Sequence, residues 1–155
     1  NLQYNKIGTP GAIVKHVFIQ SITKNLLFSS NEEQGMSIEE LNLGDNGLDI
    51  DGIICVTSVL NWNNSTLRSL NLDCPDYRSI GQECAVHYAK MLQVNRGLEK
   101  LSLRKNLLNC DAIYTIKQLS MENNRLRVLD LAANKIAFKG AEALHDLLTS
   151  KFCVL

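Results

Sequence analysis

The sequence predicts an α/β right-handed solenoid, a horseshoe segment with a parallel sheet on its concave face and helices on its convex face. Three observations carry that reading. A triplet of apolar residues recurs every 28 to 31 residues along the 155-residue chain. Within each copy apolar residues first alternate with polar ones, as in a strand, and then recur with helical spacing. Between the two runs an asparagine and a glycine stand at fixed offsets. A unit of this size cannot close a core by itself, so stacked copies must share one.

The elements follow in order. Ile38, Leu41 and Leu43 recur as Leu67, Leu70 and Leu72, as Leu98, Leu101 and Leu103, and as Leu126, Leu129 and Leu131. Their period-2 spacing predicts strands near 40–43, 69–72, 100–103 and 128–131, with the leucines on one face. Three residues after the third leucine comes Asn46, Pro75, Asn106 or Asn134. The chain leaves the strand there, and an asparagine amide can satisfy backbone groups that the turn strands. Six residues further come Gly52, Gly81, Ala112 and Gly140, expected to open the helices. Apolar residues then fall one, four, seven and eight positions on, as Ile53, Val56, Val59, Leu60 and as Ala141, Leu144, Leu147, Leu148. That is one helical face, and it predicts helices near 52–62, 81–94, 112–123 and 140–150. The chain start fits the same frame, with Leu2, Asn5 and Gly11 in the corresponding places and a helix expected near 11–25.

The whole chain, 1–155, thus reads as one domain fragment. Its repeats run approximately over 1–37, 38–66, 67–97, 98–125 and 126–154, and Leu155 starts the next. Asn5, Asn46, Asn106 and Asn134 are expected to be structural turn residues. Neither end carries a polar cap, so flanking repeats of the same chain are expected on both sides.

Repeats of this length with a full helix resemble the ribonuclease-inhibitor class of leucine-rich repeats. The resemblance covers essentially the whole chain and includes Cys153, two residues before Leu155. It implies a non-catalytic scaffold for protein partners, cytoplasmic or nuclear. It also leaves room for a structural part of a large assembly such as the ciliary axoneme. A GTPase-activating or inhibitor protein of the Ran-regulator or ribonuclease-inhibitor type would need an acidic tail or an aromatic concave face, and neither is seen. Three departures stand out. Residues 26–37 make the first repeat about twelve residues too long and read as a surface loop. Pro75 interrupts the asparagine column and brings no amide donor. Lys15 sits where the other helices are apolar.

Sixteen basic residues balance sixteen acidic ones. Nucleic acid is therefore not an expected partner, because phosphate neutralisation needs excess Lys and Arg. No membrane partner is expected either, since no apolar run reaches the length of a span. The five cysteines (Cys55, Cys74, Cys84, Cys110 and Cys153) are odd in number and lack C-x-x-C spacing. This argues against disulfides and zinc and for a reducing compartment. Two overlapping N-x-S/T sequons at Asn63 and Asn64 point the other way. No phosphate loop, dinucleotide fingerprint or nucleophile elbow appears, and His16, His87 and His145 fall in different repeats. No catalytic residue, cofactor or metal is expected. Asp49 and Asp51 are expected to cap a helix, and Trp62 to pack at a helix end.

Two surfaces are candidates for binding. The concave face carries Glu40, Asn42, Asn71, Asp73, Lys100, Ser102, Arg104 and Asp130, with Ser69, Val128, Gly44 and Ala132 in the same columns. Asp73 and Arg104, on adjacent strands, are close enough to pair. On the convex side Ile13, Val17 and Ile54 form a candidate apolar patch, unless the first helix is rotated and buries them.

Overall fold

The structure is a computed structural model that describes residues 38–61, 66–76, 81–120 and 123–149. The helix expected at 11–25, the insertion at 26–37, Asn5, Ile13, Val17, His16, Trp62, Cys153 and Leu155 lie outside those residues. Within them strand and helix alternate: β1 (Glu40–Asn42), α1 (Ile50–Leu60), β2 (Ser69–Asn71), α2 (Gln82–Val94), β3 (Lys100–Ser102), α3 (Cys110–Ser120), β4 (Val128–Asp130) and α4 (Phe138–Thr149). The strands form one parallel sheet in the order β1-β2-β3-β4.

Parallel neighbours need a crossover, and each helix supplies one. Leu41, Leu70, Leu101 and Leu129 stand in one row across the sheet. The first three are buried, whereas Glu40 and Lys100 beside them are exposed. On the other side of the leucines the helices stack α1 to α2, α2 to α3 and α3 to α4. Ile53, Val56 and Leu60 of α1, Tyr88 and Leu92 of α2, and Ile113 and Ile116 of α3 join the strand leucines in one continuous core. The described residues therefore form two layers, and none of the described elements covers the sheet face turned from the leucines.

The helices start differently from the expectation. Gly52, Ala112 and Gly140 do not open their helices; each is the third residue and is buried. In α1 and α3 the start is set earlier, by a capping side chain. Asp49 Oδ1 accepts from Gly52 N at 2.9 Å, and Asn109 Oδ1 accepts from Ala112 N at 2.9 Å. Small residues occupy this place because the turn lies against its surroundings. A Cβ on Gly140 would stand 2.7 Å from Ile136 Cγ2 and 3.4 Å from the Cys110 Cα of α3. Gly81 alone precedes its helix, at φ 136°, where a side chain is strained.

The inward face of α4 keeps two of the expected four residues, Leu144 packed against the core and Leu147 buried, but not the other two. Gly140, Ala143 and Leu147 are buried, while Ala141 is exposed and Leu148 is 53% exposed. The buried three follow i, i+3, i+7 spacing, and α3 is the one described helix beside them.

Candidate functional site

The open sheet face is built on a tightly bonded turn at the end of each strand. Asn106 and Asn46 are buried there, and Asn134 is half-buried. The Asn134 amide donates to Leu103 O and Leu131 O, both at 2.8 Å, and its Oδ1 accepts from Asn106 N and Leu108 N at 2.9 and 3.1 Å. One side chain thus joins two consecutive repeats. The Asn106 amide donates in the same way to Leu72 O and Arg104 O, both at 3.0 Å. Its Oδ1 faces the repeat that carries Pro75, which has no N–H to give. The Tyr88 hydroxyl of α2 donates to that oxygen instead, at 2.6 Å. Tyr88 is fully buried, and burial pushes its pKa well above the ordinary tyrosine value. It remains the O–H donor that the bond requires.

A second asparagine column was not anticipated from the sequence. At the helix ends, Asn95 Oδ1 accepts from Gly97 N and Leu98 N at 2.9 and 2.8 Å, and its amide donates to Leu60 O at 3.1 Å. Asn123 repeats this with Arg125 N and Leu126 N, and its amide donates to Leu92 O at 2.6 Å. The signal was present: Asn64, Asn95 and Asn123 each stand three residues before a repeat's first leucine.

The face residues divide by exposure. Glu40, Lys100 and Arg104 are exposed, and Asn42, Asn71, Asp73, Ser102 and Asp130 are half-buried. The half-buried group is occupied with backbone. Asn42 Oδ1 accepts from Gly44 N, Asn71 Oδ1 from Asp73 N and Asp130 Oδ1 from Ala132 N, at 2.8 to 2.9 Å. This is one side-chain turn repeated at the strand ends. In β3 the place is held by Ser102, and Asp73 Oδ1 of the previous repeat accepts both Ser102 Oγ, at 2.6 Å, and Arg104 N, at 2.7 Å. The expected ion pair between Asp73 and Arg104 is therefore replaced. Asp73 takes the Arg104 backbone amide, and the guanidinium turns to the other side and donates to Asp130 Oδ2 at 3.1 Å. The Ala132 amide first, and then the Arg104 guanidinium, hold the Asp130 carboxyl below its ordinary pKa. Gly44, expected in an exposed column, is buried: a Cβ there would come within 2.8 Å of Asn71 Oδ1.

Below the face, Glu99 Oε1 lies 3.9 Å from Arg68 Nη1 and 3.8 Å from Arg125 Nη2. Val128 is 49% exposed beside Lys100 and supplies an apolar side chain in the same column. In the turns Asp45, Cys74, Lys105 and Ala133 occupy one recurring position with φ of 50 to 57°. On the helical side Ile54 is half-buried, and it is the described member of the expected apolar patch. Lys117 of α3 meets Asp146 of α4 at 2.6 Å.

Among the described residues no group of three or more His, Cys, Asp or Glu is placed to hold a metal ion. Cys55, Cys74, Cys84 and Cys110 are all free thiols, and burial pushes Cys84 up to about 11. His145 is exposed next to Asp146, and His87 is half-buried on α2. Among the described residues no helix is long and apolar enough to cross a membrane.

Residues 122–144 match the Leucine Rich repeat family model, and this stretch includes β4 and the first half of α4. Over 106 residues the chain is 30% identical to leucine-rich repeat-containing protein 34 of Mus musculus. That match covers 64% of this chain and 24% of the mouse protein. The sequence stretches Ser69–Tyr77 and Val86–Leu92 resemble the same protein. Among solved structures the chain is similar to Leiomodin-1 Actin-Binding Site 2, with a TM-score of 0.63 and 19% identity, over 84% of this chain and 69% of that one. It is also similar to the tropomodulin C-terminal domain of Caenorhabditis elegans, with a TM-score of 0.65 and 11% identity, over 85% and 74%. The chain carries leucine-rich-repeat sequence, and its α/β fold is shared with both solved domains.

Proposed function

We propose that this chain is a non-catalytic interaction scaffold that holds a protein partner on its open sheet face. The observation that carries the reading is the division of labour on that face. The half-buried Asn42, Asn71, Asp73 and Asp130 close the turns, while Glu40, Lys100 and Val128 stand exposed in one row and Arg104 stands exposed at the strand end. The rigid part supports the fold, and the exposed part is left to vary with a partner. Leucine-rich-repeat sequence and a fold shared with an actin-binding site of leiomodin support the same reading. We further assign the repeats to a right-handed solenoid of the ribonuclease-inhibitor class, on helices of 11 to 13 residues. The free thiols fit a reducing compartment, and we place the protein in the cytoplasm or nucleus.

Lysine-directed cross-linking with mass spectrometry, on the full chain in cell lysate and separately with purified actin, tests the assignment. Cross-links to partner proteins are expected at Lys100 and Lys105 of the sheet side. Cross-links confined to Lys90 and Lys117 of the helices would overturn it.

A further inference from the structure

Charge is unevenly divided along the open sheet face. The strand-and-turn segment 38–46 has three acidic residues, Glu39, Glu40 and Asp45, and no basic one. The corresponding segment 98–106 has three basic residues, Lys100, Arg104 and Lys105, and one acidic residue, Glu99. The segment between them, 67–75, holds one of each, Arg68 and Asp73. The register makes this a surface feature. Glu40, Ser69, Lys100 and Val128 follow one another across β1, β2, β3 and β4. Strands lie about 4.8 Å apart, so the acidic and basic ends are separated by roughly 10 Å.

The basic end is only partly neutralised. Glu99 lies between Arg68 and Arg125, and Asp130 is engaged by Arg104. Asp73 gives its Oδ1 to Ser102 and the Arg104 backbone. Lys100, Lys105 and Arg127 are exposed, and none has an ion-pair partner among the described residues. Val128 stands exposed beside Lys100, its partner in register. Exposed, unpaired cations around an apolar side chain attract carboxylates and repel a basic ligand, and the acidic end at β1 fixes the direction in which a ligand can lie.

We propose that the partner held on this face is an acidic protein segment, with carboxylates over Lys100, Arg104, Lys105 and Arg127 and an apolar side chain on Val128. The proposal rests on the scaffold reading and names the chemistry of its ligand. The segment runs away from β1, where Glu39 and Glu40 oppose it.

Fluorescence anisotropy on the full chain tests it, with a labelled peptide of alternating Glu and Leu as the probe. A Lys–Leu peptide and a short RNA duplex serve as competing ligands. The acidic peptide is expected to bind, more weakly as salt rises. Lys100→Glu combined with Arg127→Glu should weaken it by tenfold or more, roughly the effect of losing two complementary charges. Glu39→Lys combined with Glu40→Lys should leave it unchanged or tighten it. Both pairs are exposed, and equal thermal melts establish that each variant folds. Lys100→Gln with Lys105→Gln is a milder second variant expected to weaken binding in the same direction. Undiminished binding in the charge-reversed variants, equal binding of the Lys–Leu peptide, or stronger binding of the RNA would each overturn the proposal. If the acidic peptide fails while cross-links still map partners to Lys100 and Lys105, the charge assignment falls and the scaffold stands. If cross-links avoid the face as well, the scaffold falls with it.

Discussion

At the scale of single residues, the Tyr88 hydroxyl does the work that a backbone amide does elsewhere. Asn134 Oδ1 is satisfied by amides of the preceding repeat, including Asn106 N, but the corresponding place before Asn106 is held by Pro75, and Asn106 Oδ1 receives the tyrosine hydroxyl at 2.6 Å. Replacing Asn106 by Ala should cost about 1–3 kcal/mol, because Leu72 O and the Tyr88 hydroxyl lose a buried partner. Tyr88→Phe should cost about 1–3 kcal/mol for the same reason. The cost of Tyr88→Phe should shrink in a Pro75→Asn background, where position 75 regains an N–H. Urea unfolding of the two single variants and the double variant measures this coupling. Equal costs in both backgrounds would show that the hydroxyl is not standing in for the amide. Asp130 supports a second expectation. Its pKa in the folded chain is depressed, so its contribution is present above the unfolded value near ~3.9 and is lost as pH falls through the lower folded value. The melting temperature should therefore fall less steeply below about pH 4 in Asp130→Asn than in the parent chain. Arg104→Gln should restore only part of the ordinary carboxyl titration in an NMR experiment, because the Ala132 amide is the larger cause. Full restoration would reverse that ranking.

At the scale of elements, glycine at the third helical position separates two kinds of packing. A Cβ at Gly52 would meet Leu48 Cδ2, the far end of a flexible side chain, at 3.2 Å. Ala112 already occupies this position in α3. Gly52→Ala should then be neutral or stabilising by up to about 1 kcal/mol, from the better helix propensity of alanine. At Gly140 the Cβ would stand 2.7 Å from the branched Ile136 Cγ2 and near the backbone of Cys110, so the same change should destabilise by about 1–3 kcal/mol. Thermal melts that rank the two variants the other way would refute this account of the helix contacts. The strands and helices themselves were legible in the sequence because the two apolar periods are distinct and recur. The helix starts were legible only in part. Asp49 caps α1 as expected, whereas Asp51 lies inside its first turn and the Asn109 cap of α3 was not anticipated; both caps lie before the small residue taken as the start. The face of α4 was read in part: Leu144 and Leu147 turn to the core as expected, but Ala143 is buried in place of Ala141, since the two alanines have the same hydropathy and only packing against α3 distinguishes them. The face columns were legible from strand alternation. The choice of Asp130 over Asp73 by Arg104 was not, because Asp73 is drawn to backbone by the short Ser102 side chain.

At the scale of the whole molecule, stability is shared unequally along the row of strands. Leu70 and Leu101 are each 1% exposed, with a paired strand on both sides. Leu129 holds the same place in β4, at the end of the described sheet, and it is half-buried. In a stack of repeats each unit is stabilised mainly through its immediate neighbours, so a leucine with two covering repeats contributes more than one with a single neighbour. Leu101→Ala opens a cavity that α2 and α3, packed against each other behind β3, cannot close, and should cost about 2–5 kcal/mol. In the 155-residue chain Leu129→Ala should cost clearly less, because solvent reaches the side chain there and fills part of the space. Native-state hydrogen exchange extends the same argument to the parent chain. The amide of Leu72, which donates to Ser102 O at 3.0 Å between paired strands, should exchange only by the largest opening. The amides around Leu129 should exchange through a smaller opening that releases β4 and α4 together, since α4 packs on α3 alone among the described helices. If denaturant affects both sets of amides equally and the two leucine substitutions cost the same, the chain unfolds as one unit and the neighbour-by-neighbour account of its stability is wrong.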